Sequence, residues 1–248
     1  MVADRLVHCD GTTHPRPVPP PEGEGKLEKS DFMIRTVLFD LDGTIADTAP
    51  DLGHALNTLL AEHQQAPLPY EAIRPVASHG AAALIELGFG IARDTPRFAP
   101  LRERFLTLYR ANLTRETRLF PDMPEVLDAI QARGLNWGIV TNKPAFLTDP
   151  LVEQLGIRDD SVCVVSGDTT AQRKPHPEPM LHASKLAGSR PEECLYIGDA
   201  ARDIEAGKAA GMKTLVALFG YIGEQDQPQD WGADGLIRTP RDILDWLD

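Results

Sequence analysis

Thr36-Val-Leu-Phe-Asp40-Leu-Asp42-Gly43-Thr44 is an unbroken apolar run that closes on two carboxylates and a glycine. A run apolar at every position, rather than at alternate ones, marks a strand covered on both faces, as in a parallel sheet flanked by helices. Residues i and i+2 of an extended chain project to the same side, so Asp40 and Asp42 aim two carboxylates at one point. Gly43 lets the chain turn directly afterwards. A single Asp behind a strand is adequately explained as a turn or helix cap, so the pair gains meaning only from what stands opposite it.

Four further runs read the same way: Trp137–Thr141, Ser161–Val165, Leu195–Ile197 and Thr214–Leu218. Between them apolar residues recur at helical spacing, at Met123, Val126, Leu127 and Ile130, and again at Met180, Leu181 and Leu186. Thr239-Pro240 before Ile243, Leu244 and Trp246 supplies a cap, a first-turn proline and an apolar face. Strand and helix alternating in this manner imply an α/β fold with a doubly wound parallel sheet. Its ligand crevice lies beyond the carboxyl ends of the strands, where Asp40 and Asp42, Thr141 and Asn142, and Asp199 after Gly198 would converge. Three carboxylates together make a hard oxygen site of the kind Mg²⁺ prefers.

The alternation breaks once. Residues 49–117 contain no convincing strand but do contain helical stripes, clearest at Phe98, Leu101, Phe105 and Leu108 with Arg102, Glu103 and Arg104 between them. Some seventy residues are too many for a connection in a compact domain, where about 6 is usual. They are expected to form an inserted helical cap, leaving residues 33–48 and 118–248 as the core. Residues 1–32, crowded with Pro15, Pro17, Pro19, Pro20 and Pro21, are expected to be a disordered leader, with Met33 as the natural start.

Of 248 residues, 42% are hydrophobic and 25% charged, a globular composition. The formal charge of −12 excludes long-range attraction to nucleic acid or an anionic membrane surface, so an anionic ligand must be drawn in locally by a metal or by placed cations. Cys9, Cys163 and Cys194 include no CxxC pair, which argues against a disulfide framework and fits a reducing cytoplasm.

Asp40-Leu-Asp-Gly-Thr44, Thr141-Asn142, Lys174-Pro175 and Gly198-Asp-Ala-Ala-Arg-Asp203 resemble, in order and spacing, the four motifs of the haloacid dehalogenase superfamily of phosphohydrolases. The resemblance implies a Rossmann-like core, a type 1 helical cap, and a small phosphorylated metabolite as substrate, handled by a monomer or homodimer. It implies that Asp40 is the nucleophile and Asp42 the general acid and base. Mg²⁺ would be held by Asp40, Asp42 and Asp199, with the Asp42 backbone carbonyl also facing the metal, and Thr141 and Lys174 would stabilise the transferred phosphoryl group. Asn142 would assist Thr141, and Ser78, His79 and Gly80 would meet the substrate from the cap. Lys143, also before a proline, is a rival to Lys174, and Asp203 reads either as a helix-dipole partner or as support for the metal site. Asp42 favours a phosphatase over a dehalogenase, which lacks that residue. A phosphomutase would need a second cationic site in the cap, for which Arg74 and Arg93 are the candidates, and a non-catalytic phospho-ligand module would be expected to lose Asp40 or Asp42.

Within the family, Asp40 to Asp51 resembles the phosphoglycolate phosphatase group. Leu119–Glu125, Asn136–Pro144 and Gly220–Asp234 resemble its bacterial branch acting on N-acetylmuramic acid 6-phosphate. That sugar phosphate is therefore the expected substrate, with 2-phosphoglycolate the alternative.

A leader without apolar periodicity contributes no packed contacts. Deleting residues 1–32 should leave the thermal melting temperature unchanged, and a drop of several degrees would mean that the leader docks on the domain.

Overall fold

Thr36–Phe39 (β1) lies in the middle of a six-stranded parallel sheet in the computed structural model, which describes residues 33–247. The expected leader lies outside the described residues. Further strands are β2 (Ala46–Asp47), β3 (Arg118–Leu119), β4 (Asn136–Val140), β5 (Val164–Val165), β6 (Cys194–Gly198), β7 (Lys213–Ala217) and β8 (Gly235–Ile237). The sheet order is β5-β4-β1-β6-β7-β8, so the chain runs from β1 outward to β5 and then crosses to β6 on the other side of β1. Every residue of β1 and of β6 is buried, as continuous apolar runs require.

Helices α5 (Met123–Ala132), α6 (Ala145–Gln154), α7 (Glu178–Leu186) and α8 (Ala201–Ala209) connect these strands in the order expected of a doubly wound sheet. Four more, Ala49–Glu62, Tyr70–Ile73, Gly80–Phe89 and Phe98–Arg110, precede them in the chain and lie between β2 and β3. β2 and β3 pair antiparallel, Ala46 with Leu119 and Asp47 with Arg118, so residues 48–117 leave and rejoin the sheet at one two-stranded ribbon. On Phe98–Arg110 the buried side chains are Phe98, Leu101, Phe105 and Tyr109; Leu108 is only partly covered.

Three elements differ from the sequence reading. Ser161–Val165 contributes only Val164–Val165 as strand, although Val162 N–H still bonds to Trp137 O at 2.8 Å. β8 was not foreseen, being three residues long with Leu236 exposed. Pro240–Trp246 is a 3₁₀ helix rather than an α-helix, although its expected cap is present, with Thr239 Oγ1 donating to Asp242 Oδ1 at 2.8 Å. No helix among the described residues is long and apolar enough to cross a membrane.

The stretch Gly220–Asp234 thus connects β7 to β8 instead of trailing the last strand, and its Tyr221 is buried. The first N–H groups of a helix have no partner within it. At Ala49–Glu62 the Tyr221 hydroxyl supplies one, accepting from Thr48 N at 2.6 Å and from Ala49 N at 2.8 Å while donating to Asp47 Oδ1 at 2.8 Å. Tyr221→Phe should cost about 1–3 kcal/mol of unfolding free energy, because it strands these buried N–H groups. Denaturant unfolding checks this, and a variant as stable as its parent would show that the hydroxyl is dispensable.

Candidate active site

Asp40 follows β1, Asp199 follows β6 and Asp203 stands in the first turn of α8, and these three buried residues bring one carboxylate oxygen each within 4.8 Å of the others. Such a group could hold a metal ion. The nearest cation is Lys174, whose buried Nζ lies 2.9 Å from Asp40 Oδ1 and 2.7 Å from Asp203 Oδ1. The same ammonium donates to Val140 O at 2.8 Å and to the Tyr196 hydroxyl at 2.7 Å. Burial alone would raise the Asp40 pKa, but the charges of Lys174 and Arg202 outweigh it and hold Asp40 below the ordinary carboxylate value.

Asp199 is the opposite case. Its Oδ2 accepts from Ser78 Oγ at 2.6 Å and from Tyr221 N at 2.9 Å, while its Oδ1 is buried with no hydrogen-bond partner. Burial, then the charges of Asp40 and Asp203, push its pKa up to about 7. An unpartnered oxygen on a carboxylate crowded by two others suits a divalent cation. Asp203 is also raised, by burial, and its Oδ2 accepts from Ala200 N at 3.1 Å, so it supports the start of α8 as well as Lys174.

The Asp42 carboxylate, expected as a third metal ligand, is not in this cluster. Its Oδ1 accepts from Thr48 Oγ1 at 2.5 Å and from Lys143 Nζ at 2.6 Å, and its Oδ2 has no hydrogen bond among the described residues. The Asp42 backbone carbonyl is the part that faces Asp199, since Ser78 Oγ lies within 3.5 Å of it. Lys143 also sits over the Tyr109 ring, 4.7 Å from its centroid. Burial opposes the charge on Lys143, but Asp42 and Tyr109 prevail and push its pKa up.

Thr141 and Asn142 close β4 on the same side. Lys143 N donates to Thr141 Oγ1 at 3.2 Å. The Asn142 side-chain amide is committed to the backbone of Lys174, donating to its carbonyl at 2.8 Å and accepting from its N–H at 3.0 Å. Ser78, His79 and Gly80 lie where a 3₁₀ turn, Arg74–His79, meets the helix Gly80–Phe89. Of these three, Ser78 binds Asp199, and Arg202 Nη2 donates to the Ser78 carbonyl at 2.6 Å. Arg74 donates to Phe219 O and Gly220 O and does not line the cleft, which removes it as an anion site. His79 is half-buried, and burial followed by the charge of Arg202 lowers its imidazole pKa.

A cleft of about 510 Å³ opens over Asp40 and Asp42, lined also by Thr141, Asn142, His79 and Gly80. Five cations, Arg93, Arg102, Lys143, Arg173 and Arg202, share its wall, in a chain whose formal charge is −12. Sequence reasoning assigns no functional role to Arg102, Arg173 or Arg202. Arg102, Phe105, Leu106 and Tyr109 all line the cleft at spacing i, i+3, i+4, i+7, so one face of this helix forms the wall. Arg202, one position before Asp203, fell inside a quoted motif and was legible only as a neighbour.

A family model described as haloacid dehalogenase-like hydrolase matches residues 37–217. The chain is 41% identical to the N-acetylmuramic acid 6-phosphate phosphatase of Pseudomonas aeruginosa, over 88% of this chain and 96% of that protein. It is 42% identical to a phosphoglycolate phosphatase of Xylella fastidiosa, over 83% and 90% of the two chains. The crystal structure of a predicted phosphoglycolate phosphatase from Haemophilus somnus superposes with a TM-score of 0.78 at 26% identity, covering 87% of this chain and 98% of that one.

Gly43 stands at φ +81°, and a Cβ there would strike the Asp199 carboxylate and the Tyr221 ring. Gly43→Ala should therefore lower stability by more than about 1 kcal/mol, from backbone strain together with the collision. A variant with the parent's denaturation midpoint would show that the two loops yield without cost.

Proposed function

The chain belongs to the haloacid dehalogenase-like hydrolases and is a phosphoric monoester hydrolase, and from that premise we propose that it is a Mg²⁺-dependent phosphatase working through an aspartyl phosphate, with N-acetylmuramic acid 6-phosphate as substrate. The observation that carries the reading is Asp40: a carboxylate buried at the end of β1, kept ionised by Lys174 and Arg202, at the base of a cation-lined cleft. An ionised, poorly hydrated carboxylate is a competent nucleophile towards phosphorus.

In the proposed sequence Asp40 attacks phosphorus in line, an O–P bond forms, and the bond to the alkoxide breaks. Asp42 gives that alkoxide its proton and then takes one from the water that hydrolyses the acyl phosphate. Its Oδ1 is engaged by Thr48 and Lys143, which leaves Oδ2 for proton transfer. Thr141 Oγ1 and the Asn142 backbone hold phosphoryl oxygens while Lys174, through Asp40, keeps the nucleophile charged and placed. Asp40, Asp199 and the Asp42 carbonyl would hold the metal, a fit supported by the unpartnered Asp199 Oδ1, with Asp203 orienting the group through Lys174. Bound there, Mg²⁺ would supply the positive charge that lets an anionic carboxylate approach an anionic phosphate.

Residues 49–117 act as the cap, with His79 and Gly80 set against the leaving group. The cleft of about 510 Å³ favours the sugar phosphate, since a two-carbon ester such as phosphoglycolate would leave much of it to water. Phosphoglycolate is the second reading, on the strength of the Xylella fastidiosa relative. Two free, buried cysteines among the described residues support a cytoplasmic setting.

Purified protein with Mg²⁺ should release phosphate from N-acetylmuramic acid 6-phosphate and stop when EDTA is added. Asp40→Asn should abolish turnover while preserving the melting temperature. Full activity in chelator would remove the metal from the reading, and a folded Asp40→Asn variant with wild-type kcat would place the nucleophile elsewhere.

A further inference from the structure

The two substrates named by the relatives differ in size and skeleton but have one thing in common besides phosphate: phosphoglycolate and N-acetylmuramic acid each carry a carboxylate. The cleft contains a cation suited to it. Lys143 is paired with Asp42, Arg93 with Glu86 at 2.8 Å, and Arg173 and Arg202 donate to the carbonyls of Gly167 and Ser78. Arg102 has no hydrogen bond or ion pair among the described residues. Two turns further along the same helix, Tyr109 lines the cleft with 1% exposure, its ring beneath the Lys143 ammonium. An unpaired guanidinium on the same helical face calls for an anion.

We propose that Arg102 forms a specificity site on the helix Phe98–Arg110 for a carboxylate on the leaving group, so that the enzyme selects phosphomonoesters bearing a second, carboxylic, anionic group. The inference rests on the phosphatase reading and adds to it the chemical class of the substrate. It accounts for a positively lined cleft larger than the transferred phosphoryl group alone requires.

Paired substrates test it: N-acetylmuramic acid 6-phosphate against N-acetylglucosamine 6-phosphate, which lacks the lactyl carboxylate, and phosphoglycolate against ethyl phosphate. Wild-type kcat/KM should favour the carboxylate member of each pair. Arg102→Gln should shrink that ratio by about tenfold to a hundredfold, the size expected when a charged hydrogen-bond partner is lost from a recognition site. Arg102→Lys should restore part of the ratio. Equal kcat/KM within both pairs for the wild type would overturn the inference and leave the phosphatase reading standing. An unchanged ratio in Arg102→Gln, whatever its overall loss, would overturn it too. No turnover of any of the four esters would overturn the phosphatase reading and this inference with it.

Discussion

The ammonium of Lys174 allows two carboxylates, Asp40 and Asp203, to be buried side by side. Burying a carboxylate is costly unless it is paired and hydrogen-bonded, and two of them would otherwise drive each other to take up protons. Lys174 is in turn fully hidden, donating to Val140 O and to the Tyr196 hydroxyl while its charge pairs with both carboxylates. Asn142 grips its backbone from the end of β4. One buried charge thus ties together β1, β4, β6 and α8, and the same charge keeps Asp40 ionised. Removing one partner from such a group is expected to cost about 3–5 kcal/mol, far more than any exposed ion pair at the surface.

The residues that place the helical interval 48–117 are also the residues that touch the carboxylates. Tyr221 bonds Asp199 through its N–H and the start of the helix Ala49–Glu62 through its hydroxyl. Ser78 accepts from Arg202 through its carbonyl and donates to Asp199 through its hydroxyl. Arg74 binds the carbonyls of Phe219 and Gly220 and stacks over Tyr221 at 5.0 Å. Any displacement of the 3₁₀ turn Arg74–His79 therefore alters the hydrogen bonding of Asp199. The position of the helices and the state of the carboxylate cluster are coupled through direct contacts, with no relay between them. The cleft they enclose gathers five cations in a chain that is acidic as a whole, and they act on a ligand over a few ångströms while more distant surface charges are screened by water and salt.

Much of this was readable in the order of residues. β1, β4, β6 and β7 were visible as continuous apolar runs because strands buried on both faces admit nothing else. Asp40, Thr141 and Asp199 were visible because they end such runs. β8 escaped because three residues with Leu236 exposed carry no pattern. The 3₁₀ form of Pro240–Trp246 escaped because its cap and its apolar residues suit either helix. Arg102 escaped because a stripe of apolar residues identifies the buried face of a helix but not whether the neighbouring face meets solvent or a cleft.

By itself the sequence determined the parallel α/β core, the place of the helical interval and the strand ends at which Asp40 and Asp199 stand, because strand burial and helix periodicity are local properties written within a few residues. Tertiary structure alone decided the partners. It turned the Asp42 side chain to Lys143, brought Asp203 into the cluster in its place, set Tyr221 under a helix 172 positions away, and left Arg102 on the wall of the cleft. Those choices depend on which side chains meet after the chain has crossed the sheet twice. A buried charge takes whatever partner lies within hydrogen-bond reach, and that distance is not a property of spacing along the chain.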